Sequence, residues 1–323
     1  MASPRDVLFG AGEALPALPV CDHYAGVEPR MTKSLQLQAE LGPVFDVTLD
    51  NEDGAPVGGE LDQAHLIVSL LNGPDNHFGR VGVRLLPVEH PRFADVAGIV
   101  LKSAQPPAYL MLPKPESLAD LQRAAEALDA MGGAAIPLHA LIETHGALRE
   151  VFAIAAHPRI ESLSFGLMDF VSAHRGAIPQ TAMSVKGQFE HPLVLRAKLE
   201  IAAACHAAAK TPSHGVVTEF KDTRALQAAA ETACRQLGYT RMWSIHPNQV
   251  RAIVAAFSPT AAEVEQAVEI IVAAQAAGWA PIQHDHQLHD RASYRYFWHV
   301  IERAHRNAPQ HALPAELRLA WFG

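Results

Sequence analysis

Short apolar runs alternate along the chain with segments whose apolar residues recur every three or four positions. The runs read as buried strands and the periodic segments as amphipathic helices. Their alternation predicts βαβ units around a parallel sheet. Eight runs qualify: 7–9, 45–49, 81–86, 108–112, 135–142, 162–165, 215–220 and 242–245. Continuous apolar runs suit strands covered on both faces. Helical periodicity is clearest over 118–131, where apolar residues at 118, 121, 124, 125 and 128 precede Gly132-Gly133, and it recurs over 193–209 and 223–237. Pro259-Thr260 opens a further helix that Gly278 closes. Beyond Gly278 the pattern gives way to a polar, His-rich stretch over 282–290 and then to one more helix over 294–305. Residues 16–29 read as irregular. The pattern predicts an α/β fold: a (β/α)8 TIM barrel over 1–278, followed by a C-terminal lid and helix over 279–323.

At 323 residues the chain has room for such a barrel, which takes about 250. With 49% hydrophobic and 19% charged residues, a large core is expected. The formal charge of −8 argues against nucleic-acid binding. Cys21, Cys205 and Cys234 are few, odd in number and far apart, which points to a reducing, cytoplasmic setting. No signal-peptide core opens the sequence and no apolar stretch approaches membrane-spanning length, so neither a leader nor a membrane partner is expected.

In β/α barrels the chemistry sits at the C-terminal ends of the strands. The polar residues there are Asp50, Glu52 and Asp53 after the second run, Arg84 in the third, Lys114 after the fourth, Glu143 after the fifth, Asp169 after the sixth and His246 after the eighth. Glu143 and Asp169 follow consecutive strands, which lie about 4.8 Å apart. Two carboxylates with water and substrate oxygens form the usual Mg2+ arrangement, and burying both without a cation is costly. Each acid alone would equally serve as a helix cap. Arg84 would pair with the acidic cluster or hold an anionic substrate, and His246 reads as a packed residue fixing its loop. Lys114 offers a rival chemistry, a metal-free Schiff-base aldolase. The His-rich run, His284, Asp285, His286 and His289, reads as a solvated lid and not a zinc site.

Five motifs stand in one order: Leu49-Asp50-Asn51-Glu52-Asp53-Gly54, Leu112-Pro113-Lys114, Ile142-Glu143-Thr144, Phe165-Gly166-Leu167-Met168-Asp169 and Ile245-His246-Pro247-Asn248-Gln249. Together, over residues 8–300, they resemble the citrate lyase β-subunit / HpcH–HpaI aldolase family, which includes malyl-CoA and citramalyl-CoA lyases. The resemblance implies a homo-trimer or hexamer, Mg2+ on Glu143 and Asp169, Arg84 on the substrate carboxylate or carbonyl, and Asp290 as an acid delivered over a neighbouring subunit. The implied reaction makes or breaks a carbon–carbon bond of a β-hydroxy dicarboxylate or its CoA thioester through a metal-stabilised enolate, with a small 2-oxo acid as partner. Asp50, Glu52, Asp53 and Lys114 would assist proton transfer.

Three departures bear on the thioester. Arg84-Leu85-Leu86 replaces Arg-x-Asn. Gly10-Ala11-Gly12-Glu13 stands where an Arg-bearing loop should follow the first strand, with no arginine before Arg30. Ser213-His214-Gly215 replaces Ile-Asp-Gly. The first of these leaves open a non-catalytic subunit that binds an acyl-CoA or a 2-oxo acid.

Overall fold

A computed structural model describes residues 3–10, 18–307 and 313–323. Eight parallel strands close a barrel in sequence order: β1 (Cys21–Ala25), β2 (Phe45–Asp50), β3 (Val81–Arg84), β4 (Leu110–Leu112), β5 (Leu138–Ile142), β6 (Ile160–Phe165), β7 (Thr211–His214) and β8 (Arg241–Ser244), with β1 pairing both β2 and β8. The helices are α1 (Pro4–Phe9), α2 (Glu28–Leu41), α3 (Glu60–Leu71), α4 (Phe93–Val100), α5 (Leu118–Ala130), α6 (His145–Arg149), α7 (Val151–Ala155), α8 (Leu167–Ser172), α9 (Pro192–Ala207), α10 (Thr223–Arg235), α11 (Pro247–Phe257), α12 (Ala261–Ala276), α13 (Arg291–Asn307) and α14 (Ala315–Phe322). The TIM-barrel expectation holds. None of the described helices is long and apolar enough to cross a membrane.

Two strands lie elsewhere than the apolar runs suggested. Val7–Phe9 belongs to helix α1, whose first turn Ser3 caps by accepting from the Asp6 N–H. The first strand is Cys21–Ala25, inside the stretch that read as irregular. Residues 215–220 follow the seventh strand, which is Thr211–His214. Both true strands carry polar residues on their inward face, so neither forms an apolar run. Moving the first strand also changes one departure. The loop after β1 reads Gly26-Val27-Glu28-Pro29-Arg30, and Arg30 stands exposed in the first turn of α2. Ala11, Gly12 and Glu13, where the missing arginine was sought, lie outside the described residues.

The pairing register sends Asp22, Asp46, Thr48, Tyr109, His139 and Arg241 to the inside of the barrel, at the N-terminal ends of the strands. Large apolar residues usually fill this space. Here a fully buried guanidinium does. Arg241 donates to Asp46 at 2.6 Å and to the Pro19 carbonyl at 2.9 Å, and meets Asp22 at 3.1 Å. Arg80 covers the other Asp46 oxygen, at 2.7 Å. Asp22 also accepts from Thr48 and Tyr109, and the Tyr109 ring stacks on His139 at 3.9 Å. Two acids and two arginines balance in charge, as burial requires.

The chain forms two compact units, 18–257 and 3–10 with 258–323. The sequence pattern placed residues 258–278 with the barrel. In the structure α12 instead shares a hydrophobic cluster with α13, where Val264, Ala267, Ile270 and Ile271 meet Tyr294, Trp298 and Ile301. A capping box between Thr260 and Glu263 starts α12. The His-rich stretch is a hairpin of β9 (Ile282–His284) and β10 (Gln287–His289), turned by Asp285 and His286 in left-handed conformation.

Replacing Arg241 by Met should cost about 3–5 kcal/mol in urea denaturation, because it leaves Asp22 buried without its cation. A loss under about 1 kcal/mol would mean that the pair is no more than neutral to the fold.

Candidate active site

At the opposite, C-terminal end of the strands, the loops bring Asp50, Glu52, Asp53, Arg84, Lys114, Glu143 and Asp169 together. Register places Asp50 beside Arg84 on neighbouring strands. Arg84 Nε donates to Asp50 Oδ1 at 2.6 Å and Nη2 to Oδ2 at 2.9 Å. This bidentate pairing is the strong form of an arginine–carboxylate contact. Nη1 lies 2.8 Å from Glu52 Oε2. Lys114 Nζ donates to Glu52 Oε1 at 2.5 Å and stands 3.6 Å from Asp53 and 3.7 Å from Asp169. The guanidinium expected to present a free fork is thus already engaged with the acidic cluster.

The electrostatics divide these acids. Burial alone would raise Asp50, but the hydrogen bonds and charge of Arg84 hold its carboxyl below the usual range. Burial raises Glu52 despite its two cations. Lys114 is raised by Glu52, Asp53 and Asp169 against the opposing effect of burial, so it stays an ammonium. Glu143 is different. It is buried at the end of β5 and accepts one hydrogen bond, 3.1 Å from the backbone N–H of Lys114. No ion pair with a described residue compensates it. Burial, then the charges of Asp169 and Glu52, push it up to about 8. Asp169, half-exposed in the first turn of α8, faces the same Lys114. A buried carboxylate next to a second carboxylate, with no cation of its own, is a donor set that suits a divalent ion.

Local backbone features build this arrangement. A Cβ on Gly166 would stand 2.2 Å from Glu143 Oε2, so only glycine leaves room for that side chain. Lys114 has φ 49°, a left-handed conformation that turns its N–H towards Glu143. Thr144 caps α6 and donates to the Pro115 carbonyl at 2.6 Å, tying the β5 loop to the β4 loop. Gln249, buried, bonds the Ile245 N–H and the Val217 and Glu219 carbonyls, which fixes the β8 loop to the β7 loop. His246 stacks on Phe220 and accepts from the Asn248 N–H, as a packed residue would. Gln63 does for the first two loops what Gln249 does for the last two, donating to the Gly26 and Asp50 carbonyls.

Sequence reasoning missed Tyr24. It lies on β1 and its hydroxyl donates to Asp50. The strand had been placed elsewhere, so no motif pointed to it. Asp290 belongs to the other unit, where it caps α13 by accepting from the Ala292 N–H at 2.9 Å.

A model of the HpcH/HpaI aldolase/citrate lyase family matches residues 44–247, which span every one of these barrel-loop acids. The chain belongs to that family. It is a family of carbon–carbon lyases. An L-malyl-CoA/β-methylmalyl-CoA lyase from Cereibacter sphaeroides is 26% identical over 72% of this chain and 77% of its own. A (3S)-malyl-CoA thioesterase from the same species is 28% identical over 76% of this chain and 81% of its own. The crystal structure of a citrate lyase from Burkholderia xenovorans LB400 is 51% identical, with TM-score 0.87 over 100% of both chains. CitE from Mycobacterium tuberculosis, solved with magnesium, acetoacetate and coenzyme A, shares the fold at TM-score 0.70 over 89% of this chain and 98% of its own, with 19% identity.

The strain on Glu143 can be measured without substrate. An unfolded glutamate ionises near pH 4.3. With the folded value up to about 8, folding takes up a proton between these limits, so stability falls as pH rises through that window when divalent ions are absent. Glu143→Gln removes this loss. The variant should melt like the wild type near pH 4 and be more stable by up to about 4 kcal/mol at pH 8 in EDTA. A difference that does not grow with pH would show that Glu143 is not under this strain.

Proposed function

We propose that the protein cleaves, or in reverse forms, the carbon–carbon bond of a β-hydroxy acid carried as a CoA thioester, using Mg2+ held by Glu143 and Asp169. The observation that carries this reading is the uncompensated burial of Glu143 beside Asp169. Bound there, Mg2+ would polarise the reacting oxygen and stabilise negative charge on the enolate as the bond breaks. The rest falls to the chain's own residues. Asp50 and Glu52 hold Arg84 in place, and Arg84 offers its Nη1 end to a carboxylate of the substrate. Cleavage takes a proton from the β-hydroxyl and breaks the bond between the β- and α-carbons. The electron pair passes to the thioester, and the α-carbon then takes a proton. The products are a 2-oxo acid and a shortened thioester. Asp53, exposed at the rim, is the member of the acidic cluster able to exchange protons with water. Asp290 remains our assignment for the acid that returns the proton, delivered from the C-terminal unit of a neighbouring subunit in an oligomer.

Two observations support the thioester. The relatives named above act on CoA esters by name. Arg30, in the first turn of α2, follows the true first strand, where the resemblance expects an arginine for the acyl carrier.

Calorimetric titration should show one Mg2+ site per chain that is lost in Glu143→Gln. With Mg2+, malyl-CoA or citramalyl-CoA should yield acetyl-CoA and a 2-oxo acid. Unchanged Mg2+ binding in the variant would remove the metal assignment. Free CoA with an intact acid product would make the protein a thioesterase.

Lys114 stays protonated in its ion pairs, which supports a metal-dependent reaction over an imine. Borohydride added with pyruvate should leave the protein's mass unchanged. A reduced adduct on Lys114 would replace this mechanism with the Schiff-base one.

A further inference from the structure

The Nη2 end of Arg84 has three acceptors: Asp50 Oδ2 at 2.9 Å, Tyr24 Oη at 3.2 Å and Asp53 Oδ2 at 3.4 Å. Tyr24 Oη in turn donates to Asp50 Oδ2, so Tyr24, Asp50 and Arg84 close a ring of hydrogen bonds. The guanidinium carbon also lies 5.1 Å from the Tyr24 ring centroid, within cation–π range. The ring stacks in turn on Trp243, with centroids 5.8 Å apart and planes 14° from parallel. Burial and the charge of Asp50 raise the phenol's pKa, so it remains a donor.

We infer that Tyr24 is a positioning residue for Arg84, taking up its Nη2 end so that the Nη1 end faces the ligand. This rests on the reading above that Arg84 binds a substrate carboxylate. A guanidinium has five N–H donors. Nε and one Nη2 proton go to Asp50 and the second Nη2 proton to Tyr24. The Nη1 end, in an ion pair 2.8 Å from Glu52 Oε2, keeps its protons for a ligand. Without the hydroxyl, the second Nη2 proton has only Asp53 to turn to, and Asp53 sits at the rim. The guanidinium then tips outward and its Nη1 end loses its direction. The bland role for Tyr24 is filling: its hydroxyl packs under Gly26, whose backbone lies so close to Gly54 that a Cβ on Gly54 would stand 2.5 Å from the Gly26 Cα. Removing the oxygen alone, with the ring left stacked on Trp243, separates the two roles.

The test uses full-length, Mg2+-loaded protein with pyruvate as the probe, read by calorimetry. Tyr24→Phe should weaken binding by about 2- to 10-fold, the worth of one hydrogen bond, with an unchanged melting temperature. In an Arg84→Lys background the same substitution should have no effect, because the tyrosine acts only through the arginine. Unchanged affinity in Tyr24→Phe, or an equal loss in both backgrounds, overturns the inference. If the wild type does not bind pyruvate, the functional reading is at fault, and a second readout decides on Tyr24. Phenylglyoxal should then modify Arg84 several-fold faster in Tyr24→Phe, followed by peptide mass spectrometry. An equal rate would show that Tyr24 does not hold the guanidinium.

Discussion

Glu143 has a carboxylate to keep in a buried place, one backbone N–H to keep it with, and Asp169 acting against it. Much of the C-terminal face is arranged so that this carboxylate stays where it is. Gly166 gives up a side chain to make space, Lys114 adopts a left-handed backbone to supply the N–H, and Thr144 clamps the neighbouring loop. The positive charges nearby are engaged elsewhere, Arg84 with Asp50 and Lys114 with Glu52. Strain of this kind persists at a site only when the surrounding structure over-determines it.

The two ends of the barrel treat charge in opposite ways. At the N-terminal end, Arg241 and Arg80 neutralise Asp22 and Asp46, so the acids and the cations there are equal in number. At the C-terminal end the acids outnumber the cations: Asp50, Glu52, Asp53, Glu143 and Asp169 share Arg84 and Lys114. The same residue types thus form a charge-balanced cluster at one end and a cluster with excess negative charge at the other.

Five of the helices, α5, α9, α10, α12 and α13, and six of the strands were legible because packing writes itself as periodicity. Helix α5 shows it at Leu121, Ala124, Ala125 and Leu128, all buried. β1 and β7 were not legible. Asp22, Tyr24, Thr211 and Ser213 face a polar interior, and the apolar runs nearby, Val7–Phe9 and residues 215–220, drew attention away. In the site, the strand ends pointed to Arg84, Lys114, Glu143 and Asp169, since Arg84 closes its apolar strand and the others follow theirs. Pairing of Arg84 with the acidic cluster was one of two readings, but its bidentate bond to Asp50 was hidden, since it depends on the register of two strands whose paired residues stand 34 positions apart in sequence. Tyr24 was hidden with its strand.

The boundary between the two units also has a bearing on how such a chain can change. The family match, 44–247, ends before Phe257, and the second hydrophobic cluster is drawn from residues on the far side of that point together with the N-terminal helix. A chain cut or exchanged at 257/258 keeps the barrel cluster whole and parts the second cluster only from Leu8 and Phe9 of the N-terminal helix. One cut at Gly278 carries α12 away from α13 and exposes Val264, Ala267, Ile270 and Ile271 to water. An exchange between relatives therefore disturbs less at the first joint than at the second, where a broad apolar face is laid open. The two units can be shuffled as modules when α12 travels with the tail and the N-terminal helix travels with both.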